Sequence, residues 1–381
     1  MDFSWTDEQR QLRETITRFG EKELNTHLRQ LDREKAFNLA GWKKCGEIGI
    51  HGLPIPKQYG GGGADVLTTI CALEGLGRGC RDHGLIFSIN AHLWGCEIPI
   101  LTFGTEEQKA TYLPKLCAAE FIGGHAMTEP DSGSDAYSLK TTAERRGDRY
   151  LLNGRKLFVT NAPLADVMVV FASIDRRKGA YGVTGFLVDK NAPGLSVGPQ
   201  SEKMGLRTSP MSEIILENCE VPVERRLGKE GAGVAIFGHS MEWERSCILA
   251  SAVGAMERQL ESCIRYARQR QQFGQPIGKF QSVANKIVDM KIRLETARSL
   301  LYQAGWLKTI GRSAFMEAAM AKLYISECWV QSCLDAIQIH GAYGYMTESE
   351  VERELRDALG SRLYSGTSEI QRQIIAQFMG L

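Results

Sequence analysis

The sequence carries almost no net charge: 46 Lys and Arg stand against 45 Asp and Glu, a formal +1. Without a global basic field, nucleic acid is not an expected partner. No two cysteines stand at C-x-x-C spacing. The ten lie singly at 45, 71, 80, 96, 117, 219, 247, 263, 328 and 333, and with seven His they form no metal-ligand cluster. No metal is expected, and the thiols read as buried, reduced groups of a cytoplasmic protein. The longest apolar run, near 167–172, is too short to span a bilayer, so no membrane partner is expected. The polar start, Met1-Asp-Phe-Ser-Trp-Thr-Asp-Glu-Gln9, resembles neither a signal nor a transit peptide. Gly60-Gly-Gly-Gly63 lacks the strand-then-helix order of a dinucleotide fingerprint and reads as a loop. There are no internal repeats and no low-complexity tracts.

What is present is a chain of 381 residues, long enough for more than one domain. Thr6-x-x-Gln9 is a capping box that opens a helix to about Leu24. Helices follow from about Leu67 to Phe103, and another starts at Thr105 with a Glu-rich first turn. The texture changes near Ile122. Thr128-Glu-Pro-Asp-Ser-Gly-Ser-Asp135 is a loop rich in hydroxyls. Arg149–Leu152, Asn153-Gly154 and Lys156–Thr160 read as a hairpin with a type I′ turn. Further strands are expected at Val167–Phe171, Thr184–Val188 and Ser212–Leu216. No helices alternate with them, which argues against a parallel nucleotide-binding sheet. From about Gly231 onward the pattern is helical again.

Within that last part, Ile248, Val253, Met256, Leu260, Ile264 and Ala267 make a helical stripe. It predicts one helix from Met241 to about Phe273, stopped by Gly274 and Pro276. Glu244 near its start and Arg270 near its end would be roughly 39 Å apart. One ligand in one subunit cannot span that distance. If both serve the same kind of ligand, the far end serves a neighbouring subunit. Taken alone, Glu244 is a solvated helix carboxylate and Arg270 a cation suited to a helix C-terminus.

Several motifs then occur in register. Met127-Thr-Glu-Pro-Asp-Ser-Gly-Ser-Asp135, Phe158-Val-Thr160, Lys203-Met-Gly-Leu-Arg-Thr-Ser209, Arg270-Gln-Gln-Phe-Gly274, Gln338-Ile-His-Gly341 and Tyr364-Ser-Gly-Thr-Ser-Glu-Ile-Gln-Arg372 together resemble the acyl-CoA dehydrogenases over essentially the whole chain. The resemblance implies a mainly α fold with a middle β domain. A helical domain would cover 1–121, a β domain 122–229, and a four-helix bundle 230–381. It implies FAD between domains and across a subunit boundary, in a dimer of dimers. Met127, Thr128, Gly133, Ser134, Phe158 and Thr160 would hold the flavin, with amide and hydroxyl donors for the charge it gains on reduction. Phe158 offers a stacking ring, smaller than the family's usual Trp. Arg270, Phe273 and Gln281 would bind a neighbour's FAD, with Gln338 and Gly341. Thr367 and Glu369 would face the subunit's own.

One departure selects a branch. Many relatives carry the catalytic base as Glu in a Tyr-Glu-Gly-Thr pattern, where this chain has Ser365. Serine cannot take an α-proton at neutral pH without a base of its own. The isovaleryl-CoA branch places its base on the long helix, and Glu244 in Met241-Glu-Trp-Glu-Arg245 matches that place. Glu242 is two residues away and on another face. Glu242, Arg245, Tyr364, Ser365 and Ser134 would lie along the thioester. Glu244 would remove the α-proton while a hydride leaves Cβ for the flavin, the carbonyl being polarised by the Ser365 N–H. Burial should raise the pKa of Glu244. The resemblance is nearest the prolyl-carrier-protein dehydrogenases, which oxidise proline tethered by phosphopantetheine in secondary metabolism. Trp94 and Trp243 would limit the acyl cavity. The partner implied is a carrier protein, with an electron-transfer flavoprotein or O2 as acceptor. The alternatives are a short or branched acyl-CoA dehydrogenase of isovaleryl type and a flavoprotein scaffold without catalysis.

Overall fold

The computed structural model describes residues 5–381. Seven helices come first: α1 Asp7–Glu23, α2 Leu28–Glu34, α3 Leu39–Glu47, α4 Val66–Gly79, α5 His83–His92, α6 Ile98–Phe103 and α7 Glu106–Cys117. Eight strands follow: β1 Gly123–Ala126, β2 Thr142–Arg146, β3 Arg149–Thr160, β4 Val167–Ser173, β5 Val183–Asp189, β6 Leu195–Val197, β7 Met211–Pro222 and β8 Arg226–Leu227. The chain returns to helix with α8 Gly233–Cys247 and α9 Ala250–Gln269. A hairpin of β9 Gln271–Gln272 and β10 Gln275–Pro276 then leads to α10 Gln281–Thr309 and α11 Phe315–His340. Last come α12 Ala342–Tyr345, α13 Val351–Gly360 and α14 Ser368–Phe378.

Helix starts follow their caps. Thr6 and Gln9 close a reciprocal capping box at α1, and Thr105 and Gln108 repeat it at α7. The large sheet runs β6-β7-β3-β2-β4-β5-β8, with β1 parallel to β4. Its ladders are mainly antiparallel, as the lack of alternating helices predicts. Along β4 the faces alternate: Val167, Val169 and Phe171 join the helical core, while Met168, Val170 and Ala172 pack with Tyr150, Phe186 and Ile214. The sheet therefore has one face against the helices and a small core of its own.

Two local expectations are corrected. Asn153-Gly154 is not a turn: β3 passes straight through it, with a register shift against β7. Gly154 is there because a Cβ would stand 2.3 Å from Thr141 Oγ1. The β2–β3 turn is Gly147-Asp148. A two-residue turn with both central φ positive, as type I′ requires, occurs at Phe273-Gly274 (φ 52° and 76°). The single helix over 241–273 is also two helices, interrupted at Ile248-Leu249, with Arg270 just past the second rather than in its last turn. Ser246–Met256 is buried on every side. An apolar stripe there carries no phase, and a break in it leaves no mark in the sequence.

The helices cross closely. A Cβ on Gly77 of α4 would meet Ser251 O at 1.9 Å, and one on Gly254 of α9 would meet Glu74 O at 2.0 Å. The run His83–Phe103, with a π turn at Leu93–Glu97, is long and apolar enough to cross a bilayer, but 83% of its apolar window is buried inside the fold. It is a core element, longer than the run singled out in the sequence. All ten cysteines are buried and unpaired. No group of three His, Cys, Asp or Glu among the described residues is arranged to hold a metal.

Candidate active site

The loop after β1 is held from beneath. Glu129 is buried and accepts the amides of Lys140 (2.5 Å) and Thr141 (3.0 Å). It also pairs with the buried Lys156 ammonium at 2.8 Å. Burial would push the Glu129 carboxyl up, but Lys156 and these bonds hold it below the usual range. Burial brings the Lys156 ammonium down to about 8. Lys156 also donates to Met127 O at 3.1 Å. Sequence reasoning missed this pair. Its only signal is a lone Lys at an inward-facing strand position.

The anchored loop leaves its donors unspent. The N–H groups of Thr128, Gly133 and Ser134 find no acceptor in the described chain, nor do the hydroxyls of Thr128 and Ser134. A Cβ on Gly133 would meet nothing within 4 Å. Beside the loop, the Leu157 N–H donates to Thr128 O at 2.8 Å where β3 slips register against β7. That slip turns Phe158 out, 64% exposed, at φ 57°. Thr160 closes β3 opposite Met211. Open amides, free hydroxyls and an outward ring suit a flat heterocycle that gains negative charge, which is the chemistry of a flavin.

Tyr137 carries the loop toward α8. Its ring meets Phe237 edge-on at 5.9 Å, and its phenol faces Arg245. Glu244 lies near the end of α8 and is half-buried. Burial pushes its carboxyl above the usual range, opposed by the Ser365 hydroxyl, Arg245 and Lys322. The Ser365 hydroxyl donates to Glu244 Oε1. Arg245 Nε donates to Ser365 O at 3.0 Å, and Lys322 Nζ to Gly366 O at 2.7 Å. The Ser365 N–H itself has no acceptor among the described residues. Tyr364 packs against Phe87 with the ring centroids 4.6 Å apart and the planes tilted by 40°. Thr367 caps α14, with Glu369 exposed in its first turn.

Glu242, expected along the thioester, has partners other than those of Glu244. Its Oε1 accepts the Ala314 N–H at 3.0 Å and its Oε2 faces Lys308 at 3.3 Å. It anchors the start of α11 instead. Between the two carboxylates, Trp243 stacks on the fully buried Trp94 (5.9 Å, 16°) and takes the Lys308 ammonium at 4.9 Å from its ring.

A second group gathers at the far ends of α9 and α11. Tyr266 stacks on His340 at 4.3 Å, so the end of α9 that leads to Arg270 and the Phe273 hairpin meets the end of α11 that carries Gln338 and leads to Gly341. Phe273 is 93% exposed and meets Phe280 edge-on, next to Gln281. Arg270, Gln281, Gln338 and Gly341 are exposed too.

Three family models match: acyl-CoA dehydrogenase N-terminal domain over residues 6–120, middle domain over 124–219 and C-terminal domain over 231–380. An L-prolyl-[peptidyl-carrier protein] dehydrogenase of Serratia sp. is 43% identical, covering 100% of this chain and 99% of its own. An acyl-CoA dehydrogenase of Bacillus subtilis is also 43% identical, over 98% of each. Among solved structures, the prolyl acyl carrier protein oxidase AnaB is 58% identical with TM-score 0.98, covering 99% of this chain and 100% of AnaB. PigA with FAD and proline is 43% identical with TM-score 0.98, covering 100% of both. By sequence, domain order and fold, this chain belongs to the acyl-CoA dehydrogenase family.

Proposed function

We propose that this chain, with FAD, oxidises a prolyl group held as a thioester on the phosphopantetheine arm of a carrier protein, in natural-product biosynthesis. The observation that carries the reading is the Glu244–Ser365 pair: a carboxylate on α8 stands where the chain offers a hydroxyl at the other base position. The prolyl-carrier relatives support the substrate. So does the Trp94–Trp243 stack beside Glu244, which favours a compact acyl group over a long chain.

Each residue then has a task. Met127, Thr128, Gly133, Ser134, Phe158 and Thr160 hold and orient the flavin, whose chemistry when bound is to accept the two electrons that leave Cβ. The Ser365 N–H donates to the thioester carbonyl and so acidifies the α-hydrogen. Glu244 takes that hydrogen as a proton, and its raised pKa suits the work. Arg245, Tyr364 and Ser134 line the thioester. Thr367 and Glu369 face the same cofactor, while Arg270, Phe273, Gln281, Gln338 and Gly341 reach the FAD of a neighbouring copy in a dimer of dimers. The three parts divide at 121/122 and 229/230, in keeping with strands confined between Gly123 and Leu227 before α8. The enzyme works in the cytoplasm and passes electrons to an electron-transfer flavoprotein or to O2.

The test is side-by-side turnover with prolyl-carrier thioester, free proline and isovaleryl-CoA at matched concentrations, read by mass spectrometry of the thioester. Prolyl-carrier is expected to be oxidised far faster than the other two. Free proline should fail because a carboxylate does not acidify its α-hydrogen as a thioester does. Faster oxidation of isovaleryl-CoA would move the chain to a branched-chain acyl-CoA dehydrogenase. No bleaching of the flavin by either thioester would leave a scaffold.

A further inference from the structure

Ser365 does more than vacate a base position. Its backbone is left-handed, at φ 57°, where a glycine would sit without strain. Its carbonyl accepts from Arg245 Nε at 3.0 Å and Gln371 Nε2 at 3.1 Å. The next carbonyl, of Gly366, accepts from Lys322 at 2.7 Å and Gln371 at 2.8 Å. Three side chains thus fix this peptide. Arg245 is the immediate neighbour of Glu244, so the contacts close a ring: Glu244 to Arg245 through the helix backbone, Arg245 to the Ser365 carbonyl, and the Ser365 hydroxyl back to Glu244 Oε1. Glu244 Oε2 takes no hydrogen bond and no ion pair from the described chain.

We propose that Ser365 is a positioning residue for Glu244: its hydroxyl holds Oε1, fixes the carboxylate plane and leaves Oε2 as the oxygen that receives the proton. This rests on the reading of Glu244 as the base. An O–H donor to one oxygen favours the ionised carboxylate, so the same bond keeps the base deprotonated in a site whose burial works against it. The other groups that face Glu244 are Arg245 on its own helix, Lys322 from α11 and Tyr364 beside Ser365. Tyr137 lies beyond Arg245, and Glu327 and Glu369 lie beyond Lys322. None of these is changed by removing one hydroxyl.

The experiment is rapid-mixing flavin reduction in the holoenzyme by prolyl-carrier thioester between pH 5 and 9, for wild type, S365A, S365G and E244Q. S365G matters because glycine suits φ 57°, so it deletes the hydroxyl while relieving the backbone. Both Ser365 variants should keep FAD, and S365G should melt within a few degrees of wild type, the relief at φ 57° offsetting the lost hydrogen bond. In both, the acidic limb of the reduction rate should move up by about one pH unit, the tenfold change that one hydrogen bond to a charged group carries. The plateau rate should fall on the order of tenfold as the carboxylate loses its fixed plane. An unmoved limb and unchanged plateau in S365G, with E244Q inactive, would overturn the role of Ser365 alone. Wild-type reduction in E244Q would overturn that role together with the reading beneath it.

Discussion

At the scale of the residue, two carboxylates two positions apart have separate fates. Glu244→Gln should retain fold and FAD but lose flavin reduction on the order of a thousandfold, the range general-base catalysis covers. Glu242→Gln should show the reverse. Its carboxylate holds the Ala314 N–H and Lys308, so the change should cost about 1–3 kcal/mol in urea unfolding while reduction stays within a few-fold. Reduction dead in E242Q and intact in E244Q would reassign the base. The pH dependence has a definite sign. With Glu244 as the proposed base, acting as the anion, the burial that lifts its pKa above the ordinary carboxylate value should make the rate rise with pH through a limb shifted upward. The prolyl amine acts in the same direction, since the neutral amine removes a cation from beside the base. A pH profile of single-turnover reduction checks both. Here the sequence was only half legible. Ser365 and the neighbouring Arg245 direct attention to Glu244, but the bond between Ser365 and Glu244 joins residues 121 apart and follows from the fold alone. Lys156 under the loop after β1 was invisible for the same reason, as a charge buried by tertiary packing rather than by pattern.

At the scale of the element, starts were readable and interruptions were not. The boxes at Thr6 and Thr105 are local chemistry, and the helices begin where those side chains place them. The break at Ile248-Leu249 lies in a segment buried all round, where periodicity has nothing to report. Asn153-Gly154 misled because turn residues also serve a strand that passes close to another chain segment. Gly154 is chosen for the space beside Thr141. The α4–α9 crossing makes the same point testable. An exposed helix Gly→Ala usually gains up to about 1 kcal/mol. At Gly254 the new methyl would meet Glu74 O at 2.0 Å, so Gly254→Ala should instead cost about 1–3 kcal/mol. Denaturant midpoints with an unchanged m-value would establish it, and a stabilised variant would refute the crossing.

At the scale of the whole molecule, the helical–β–helical order was plain from texture, and the motifs supplied its family. The roughly 39 Å separation assumed one unbroken helix, and the break at Ile248-Leu249 removes that length argument. Arg270 follows the end of α9 that meets the end of α11 through Tyr266 and His340, remote in sequence from Glu244 and three residues before an outward Phe273. Val288 and Ile292 on α10 are each more than half exposed as well, an apolar face of the kind that association covers. Arg270→Ala should therefore weaken FAD retention and subunit association together, followed by sedimentation velocity and bound-flavin absorbance. A stable, fully loaded and active monomer would contradict the assembly.

The ten buried thiols have a consequence of another kind. Five lie in the first helical part, one on β7 and four among the last helices, and none is paired. Burial raises the pKa of Cys80, Cys96, Cys219, Cys247 and Cys263, so thiolate is scarce even where a reagent arrives. The folded protein should be nearly silent to an alkylating reagent, and each cysteine should become reactive only when its own layer opens. Peptide mapping after brief exposure in rising urea would then time the three parts separately, with no label engineered into the chain. Cys219 modified before Cys80 and Cys263 would show that the sheet loosens first; simultaneous modification would show a single cooperative unit.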